Sequence, residues 1–220
     1  MILMNSEAVA RIGWILGRMR REATRRHAPV LAAEKATAET PFAILVFTML
    51  SARTKDETTL AAVKRLFKTA KSPKQISALG RKRLEKILYG VGFYRVKAKN
   101  LLRICAILQS NGNRVPSTLE PLLRLPGVGR KTANIVLARA FNRNTLGVDV
   151  HVHRMSNRLG LVKTKKPEET ERALVRIIPQ RHIRTLNRDF VAFGQTVCLP
   201  RNPRCAECPI RILCPRIGVK

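Results

Sequence analysis

Residues 125–151 read LPGVGRKTANIVLARAFNRNTLGVDVH, and most of what the chain does follows from how this stretch is read. Pro126 precedes two closely spaced glycines, Gly127 and Gly129. Behind them Ala133, Val136, Leu137 and Ala140 recur at i, i+3, i+4 and i+7, the period of one helix face. Upstream, Ser117 and Glu120 have capping-box spacing and predict the opening of a short helix through Leu119, Leu122 and Leu123. The stretch thus predicts helix, glycine turn, helix. Such a turn admits positive φ and the close approach of another molecule. The helix behind it aims backbone N–H groups and a positive dipole end outward, which suits a phosphate. Gly127, Gly129 and Arg130 are the expected contacts.

Lys131 falls in the first turn of that second helix, where the dipole disfavours an ammonium. The many other cations of the chain act in the same direction. Both effects lower a lysine pKa, which is what an amine nucleophile needs. Asp149 follows eighteen residues later, just ahead of the helical pattern Val152, Met155, Leu159, and is expected to be an N-cap. A carboxylate fixed there stays ionised, ready to accept a proton or to face a developing cation. Taken alone, a glycine hairpin is as readily a DNA-backbone clamp as a catalytic device, and Asp149 alone is a helix cap.

The composition narrows the partners. With 43 Lys and Arg against 14 Asp and Glu, the formal charge is +29, so a polyanion is expected and nucleic acid is the default. Aromatic residues are only 5%, too few for broad base-stacking platforms. The longest apolar run, Phe42 to Leu50, is too short to span a bilayer. Met1 to Met4 is followed by polar residues, with no secretory pattern. A cytoplasmic or nuclear monomer, not secreted and not at a membrane, is the expectation.

Periodicity predicts helices elsewhere and no strand of useful length, so the fold is expected to be all-α. Ser6 to about Arg26 is one amphipathic helix, ended or bent by Pro29; Val9, Ile12, Leu16 and Met19 face inward. Thr40-Pro41 opens a helix, Phe42 to Ala52, that is apolar nearly all round and therefore buried. It ends in the polar loop SARTKD (51–56), whose tip is free to meet a ligand. In the next helix Leu60, Val63 and Phe67 face inward and Lys64, Arg65 and Lys68 outward. An internal echo then appears. Leu84-x-x-Ile87-Leu88 followed by Gly90-Val91-Gly92 mirrors Leu119-x-x-Leu122-Leu123 followed by Gly127-Val128-Gly129. In the first copy Tyr94 holds the register of Lys131, so it has no nucleophile, but it presents Phe93 at a glycine-flanked tip. Cys105, mid-helix on an apolar face, reads as a buried thiol. His151 and His153 lie two apart and do not share a helix face, which argues against a metal pair.

Four of the five cysteines crowd the C-terminus. Cys198, Cys205, Cys208 and Cys214 are separated by six, two and five residues in a proline-interrupted segment with little apolar surface. Such a loop needs a metal to hold it. Spacing alone leaves structural zinc and an iron–sulfur cluster both open. Arg201, Arg204 and Arg211 between the cysteines could grip phosphates.

Together, LPGVGRKTA (125–133) and VDVHVHR (148–154) resemble the helix-hairpin-helix DNA glycosylases, and within them the endonuclease III family. The resemblance extends to Ser51–Asp56, to Gly92-Phe93-Tyr94 and to the four cysteines, and so spans nearly the whole chain. It implies that Lys131 and Asp149 are the catalytic pair and that the cysteines hold a [4Fe–4S] cluster, whose six-two-five spacing they share; zinc is the alternative. It implies two helical lobes. One is a six-helix barrel, 34–143, containing the hairpin (about 118–141). The other is a cluster lobe formed by 1–33 with 144–220, its loop at 198–214. Double-stranded DNA with a damaged or mismatched base is implied in a cleft between them. Phe93 takes the place of the family's wedge, an apolar residue that holds the stack open when a base is extruded; the other reading is a core phenylalanine. Arg53 stands where the family usually has a glutamine that fills the vacated gap. Either its fork pairs with a guanine left opposite, or it contacts phosphate or solvent. His151 is a DNA contact at the site or a structural hydrogen-bonding residue. The implied activity is removal of oxidised pyrimidines and cleavage of abasic sites through a lysine Schiff base. The rivals are a uracil or thymine-mismatch glycosylase of the same fold and a non-catalytic DNA clamp.

Overall fold

The computed structural model describes residues 5–37 and 40–219; Met1–Met4, on which the N-terminal reading rests in part, lie outside them. Among the described residues there are α-helices, one 3-10 turn and no strand. The chain forms two compact units, one of Met1–Ala32 with Asn144–Lys220 and one of Ala33–Arg143. We call them the terminal and the middle unit. No helix among the described residues is long and apolar enough to cross a membrane.

The N-terminal segment is two helices, not the single one its periodicity suggests. In α1 (Ser6–Ala10) the Asn5 side chain caps the first turn, accepting from Ala8 N–H at 3.0 Å. The same side chain donates to the carbonyls of Leu159 (3.2 Å) and Leu213 (2.9 Å), anchoring α1 to the C-terminal part of its unit. The chain then turns at Arg11 so that α2 (Ile12–Arg25) can lie along a later helix. Nor does Pro29 bend α2, which has already stopped at Arg26. Pro29 opens α3 (Pro29–Thr37) instead, where a fixed φ and a missing N–H are no handicap.

The middle unit is built round α4 (Pro41–Ser51). Thr40 Oγ1 accepts from Ala43 N–H at 3.1 Å, and every residue from Phe42 to Leu50 is buried. Around α4 pack α5 (Asp56–Thr69), α7 (Tyr94–Ser110) and α9 (Arg130–Ala140), and α6 (Pro73–Ile87) lies along α7. A reciprocal Ser72–Gln75 cap starts α6, and Gly80, at φ 68°, changes its direction. The short α8 (Leu119–Leu123) leads into the glycine turn before α9. Its N-cap is Thr118 with no side-chain bond, so the capping box expected from Ser117 does not form. Leu45, Leu50, Leu66, Leu84, Leu88 and Leu101 are fully buried in one core, each contributing roughly 1.5–3 kcal/mol. Cys105 belongs to that core, and burial pushes its thiol up to about 12, which leaves it inert. Arg65 does not simply face solvent. Its guanidinium donates to the carbonyls of Ile87 and Tyr89, closing the C-terminus of α6.

The terminal unit adds α10 (Val150–Arg158), α11 (Pro167–Ile177) and α12 (Gln180–Thr196). Ile12, Ile15 and Met19 of α2 share its core with Met155, Leu174, Phe190 and Phe193. A bidentate Arg20–Asp189 pair (3.1 and 2.7 Å) fastens α2 to α12, with the carboxylate wholly buried. Arg26 bonds both Glu22 and Glu207, tying the end of α2 to the cysteine loop.

Candidate active site and metal loop

In the hairpin, Gly127 has φ 77°, and a Cβ there would stand 2.6 Å from the Asn100 amide. Conformation and packing both demand glycine at that position. At Gly129, the N-cap of α9, φ is −93° and an added Cβ would meet nothing within 4 Å. The protein's own fold therefore does not explain why this position is bare. It opens the backbone outward in front of the first turn of α9, which has no side-chain cap and no acidic residue. Arg130 is exposed and Lys131 half-buried in that turn. Within the middle unit, and among the described residues, the Lys131 amine makes no hydrogen bond or ion pair.

The first copy of the echo differs at one point. Gly90 matches Gly127 in positive φ (94°), but the helix after Gly92 starts a residue later. The extra residue is Phe93, held left-handed at φ 57° and 59% exposed, so it is not a core phenylalanine. Across from it the polar loop turns through Arg53, also left-handed at φ 55°. The Arg53 guanidinium lies over the Phe93 ring, 5.1 Å from its centroid. The two residues singled out from separate motifs thus form one tip. A Cβ at Gly92 would approach the Arg53 carbonyl to 2.7 Å, so only glycine allows this contact.

Asp149 is the N-cap of α10. Its Oδ1 accepts from the N–H groups of both His151 (2.9 Å) and Val152 (3.0 Å). Its Oδ2 has no hydrogen bond among the described residues. The side chain is half-buried, fixed at one oxygen and available at the other. His151 packs against Gly194 of α12, with Nδ1 3.2 Å from the Arg154 guanidinium. His153 is engaged with Thr170 at 2.7 Å. Lys131 belongs to the middle unit and Asp149 to the terminal unit.

Cys198, Cys205, Cys208 and Cys214 line one pocket together with apolar Met155, Leu159, Phe193 and Val197. All four are half-buried and none is in a disulfide. Burial pushes the Cys208 thiol up to about 11 and raises Cys214 as well. No group of three His, Cys, Asp or Glu side chains among the described residues is placed to hold a single metal ion. Four thiols lining one largely apolar cavity are a donor set that fits a thiolate-held metal centre, whether zinc or an iron–sulfur cluster. Arg201, Arg204 and Arg211 are exposed on this loop.

Two further residues of this site have no role assigned from the sequence, although Arg154 closes the VDVHVHR stretch. Arg158 donates to the carbonyls of Leu199 (2.6 Å) and Pro200 (2.8 Å) and approaches Cys198 Sγ at 3.4 Å. Arg154, one turn earlier, donates to the carbonyls of Gly194 (3.2 Å) and Cys198 (2.8 Å). Their i, i+4 spacing on a helix whose inward face also holds Val152 and Met155 was the available signal. In so basic a chain, two more arginines do not stand out.

Both the glycine hairpin and the Asp149 cap fall within residues 46–180, which match the HhH-GPD superfamily of base excision DNA repair proteins. Among curated proteins the chain is 47% identical over 175 residues to endonuclease III of Thermotoga maritima, covering 79% of this chain and 82% of that protein. It is 40% identical over 191 residues to an endonuclease III homolog of Encephalitozoon cuniculi, covering 80% and 79%. A solved structure of a trapped endonuclease III–DNA covalent intermediate superposes with a TM-score of 0.82 at 33% identity, covering 94% of this chain and 96% of that one. This chain belongs to the endonuclease III family.

Proposed function

We propose that the protein is a bifunctional base-excision enzyme, a DNA glycosylase with abasic-site lyase activity, acting on oxidised pyrimidines in double-stranded DNA. The observation that carries this reading is the amine at Lys131. It stands in the first turn of an uncapped helix, behind a glycine with open space in front of it, and nothing in its own unit engages it. The bare backbone and dipole end suit a DNA phosphate, and the formal charge of +29 favours DNA generally. A lysine is needed because the enzyme must do two things. Its neutral amine attacks C1′ of the extruded nucleoside and displaces the base. The C1′–O4′ bond then opens, with a proton delivered to O4′, and leaves C1′=N as an iminium; the 2′ proton turns acidic, and its loss expels the 3′ phosphate by breaking the C3′–O bond. A water nucleophile would release the base and leave the strand intact. In this reading Asp149, fixed through Oδ1, stabilises the cationic sugar with Oδ2 and accepts protons from the amine. Exposed Phe93 serves as the wedge, Arg53 beside it fills the gap, and Arg201 and Arg204 hold phosphates.

The four cysteines hold a [4Fe–4S] cluster that fixes the fold of the loop. Arg154 and Arg158 connect that loop to the helix Asp149 caps. Iron and acid-labile sulfide analysis of the isolated protein should return about four of each per chain, with a broad visible absorption. A colourless protein with one zinc per chain would overturn the assignment.

A cleavage panel tests the activity. Duplexes carrying thymine glycol or dihydrouracil are cut with formation of a β-elimination product, whereas uracil and thymine opposite guanine are not. Cutting confined to the uracil or mismatch substrates would replace the oxidised-pyrimidine reading with that of a mismatch glycosylase. Binding of abasic DNA without any cutting would leave only a clamp.

A further inference from the structure

Lys97 is buried in the core of the middle unit, 7% exposed, and no other lysine among the described residues is buried. Its ammonium sits behind the loop that carries Arg53. It donates to the carbonyls of Leu50 (2.7 Å) and Ala52 (2.6 Å) and to Thr54 Oγ1 (3.1 Å). Three donors meet three acceptors. The Thr54 hydroxyl in turn accepts from the Gly92 N–H at 3.1 Å, so the same group reaches across to the hairpin that carries Phe93. Desolvation lowers the Lys97 ammonium to about 8, which still leaves it charged at neutral pH.

The tip these bonds surround is strained. Arg53 and Phe93 are both non-glycine residues in the left-handed region, which side-chain-bearing residues rarely adopt. Such conformations persist only where neighbouring structure over-determines them. The Leu50 carbonyl at the end of α4, the Ala52 carbonyl and Thr54 hydroxyl of the loop, and the facing glycine amide are all pinned, directly or through Thr54, by one amine. An apolar residue of the same length would fill the same space and pin none of them. A buried charge is a costly way to fill a core, so its bonds are the reason it is there.

We propose that Lys97 is a positioning residue for DNA insertion. It staples the 50–54 loop to the Gly92 hairpin so that Arg53 and Phe93 enter the duplex as one preformed unit. This rests on the glycosylase reading, because it assigns Lys97 to base extrusion and not to the lyase step. Extrusion depends on placement at the scale of an ångström, where a misplacement costs on the order of 10²-fold.

The test compares wild type, Lys97→Met, Arg53→Ala and the double variant on two duplexes, one with a damaged base and one with a preformed abasic site. Lys97→Met lowers base release by roughly 10²-fold. On the abasic duplex, where no base has to be extruded, borohydride trapping falls by no more than about threefold. In the Arg53→Ala background Lys97→Met adds less than about twofold, since both changes disable one element. Thr54→Val, a milder cut through the same link, shows the same split should Lys97→Met fold poorly. Equal losses on both duplexes, or effects that multiply in the double variant, overturn the proposal. Amide exchange judges the staple without reference to activity. Faster exchange at residues 52–54 and at Gly92 in Lys97→Met supports it, and unchanged exchange there overturns it. Should wild type release no base from any duplex, the glycosylase reading has failed and the exchange result alone decides for Lys97.

Discussion

Replacing Lys131 with glutamine is expected to abolish borohydride trapping on abasic DNA and to cut strand cleavage by at least about 10³-fold, the scale on which losing a nucleophile is felt. Glutamine keeps the stem and polarity of the side chain but cannot form an imine. The fold has no stake in the amine, which makes no hydrogen bond or ion pair within its unit among the described residues. Removing a positive charge from the first turn of α9 favours the helix by a few tenths of a kcal/mol. Melting temperature is therefore unchanged or slightly higher while activity disappears. DNA affinity falls only slightly, since Gly127, Gly129 and Arg130 remain. A variant that still traps DNA would place the nucleophile elsewhere. One that loses both trapping and folding would mean the side chain supports structure.

Asp149 carries two roles that one pair of substitutions separates. As N-cap it satisfies two backbone N–H groups through Oδ1. In the proposed reaction its carboxylate faces the sugar. Asparagine caps as well as aspartate does, so Asp149→Asn should keep α10 and the melting temperature. It removes the charge and the base, and base release should fall about 10²–10⁴-fold. Asp149→Ala should lose the same activity and in addition about 1 kcal/mol of stability. If asparagine proves nearly as active as aspartate, the residue is a cap and the charge is incidental.

How far the chain could be read from its sequence depended on what each signal measured. Periodicity found the helices that bury one face, and composition found α4, which buries all of its faces. It ran α1 and α2 together because the turn at Arg11 is imposed by Asn5 reaching carbonyls more than 150 residues away. Periodicity does not reveal α3, because a proline marks a helix start as readily as a stop and Pro29 serves as the start. The hairpin, Asp149 and the cysteines were legible because each carries its chemistry in a short local pattern. Arg53 and Phe93 were legible singly, but their contact was not, since nothing local links position 53 with position 93. The roles of Arg154, Arg158 and above all Lys97 were not legible, even though Arg154 lies in the quoted VDVHVHR stretch. A basic residue in a chain of 43 lysines and arginines reads as surface charge until burial shows otherwise.

Helix α10 is nine residues long, a rod of roughly 13 Å. Its first turn hangs from Asp149, and its middle and last turns are bolted to the cysteine loop through Arg154 and Arg158. So short a strut has little room to flex, and a disturbance at one end is transmitted to the other. Oxidative damage that unravels the loop would then mis-aim a carboxylate that no oxidant had touched. Loop and carboxylate are thus the two ends of one mechanical part.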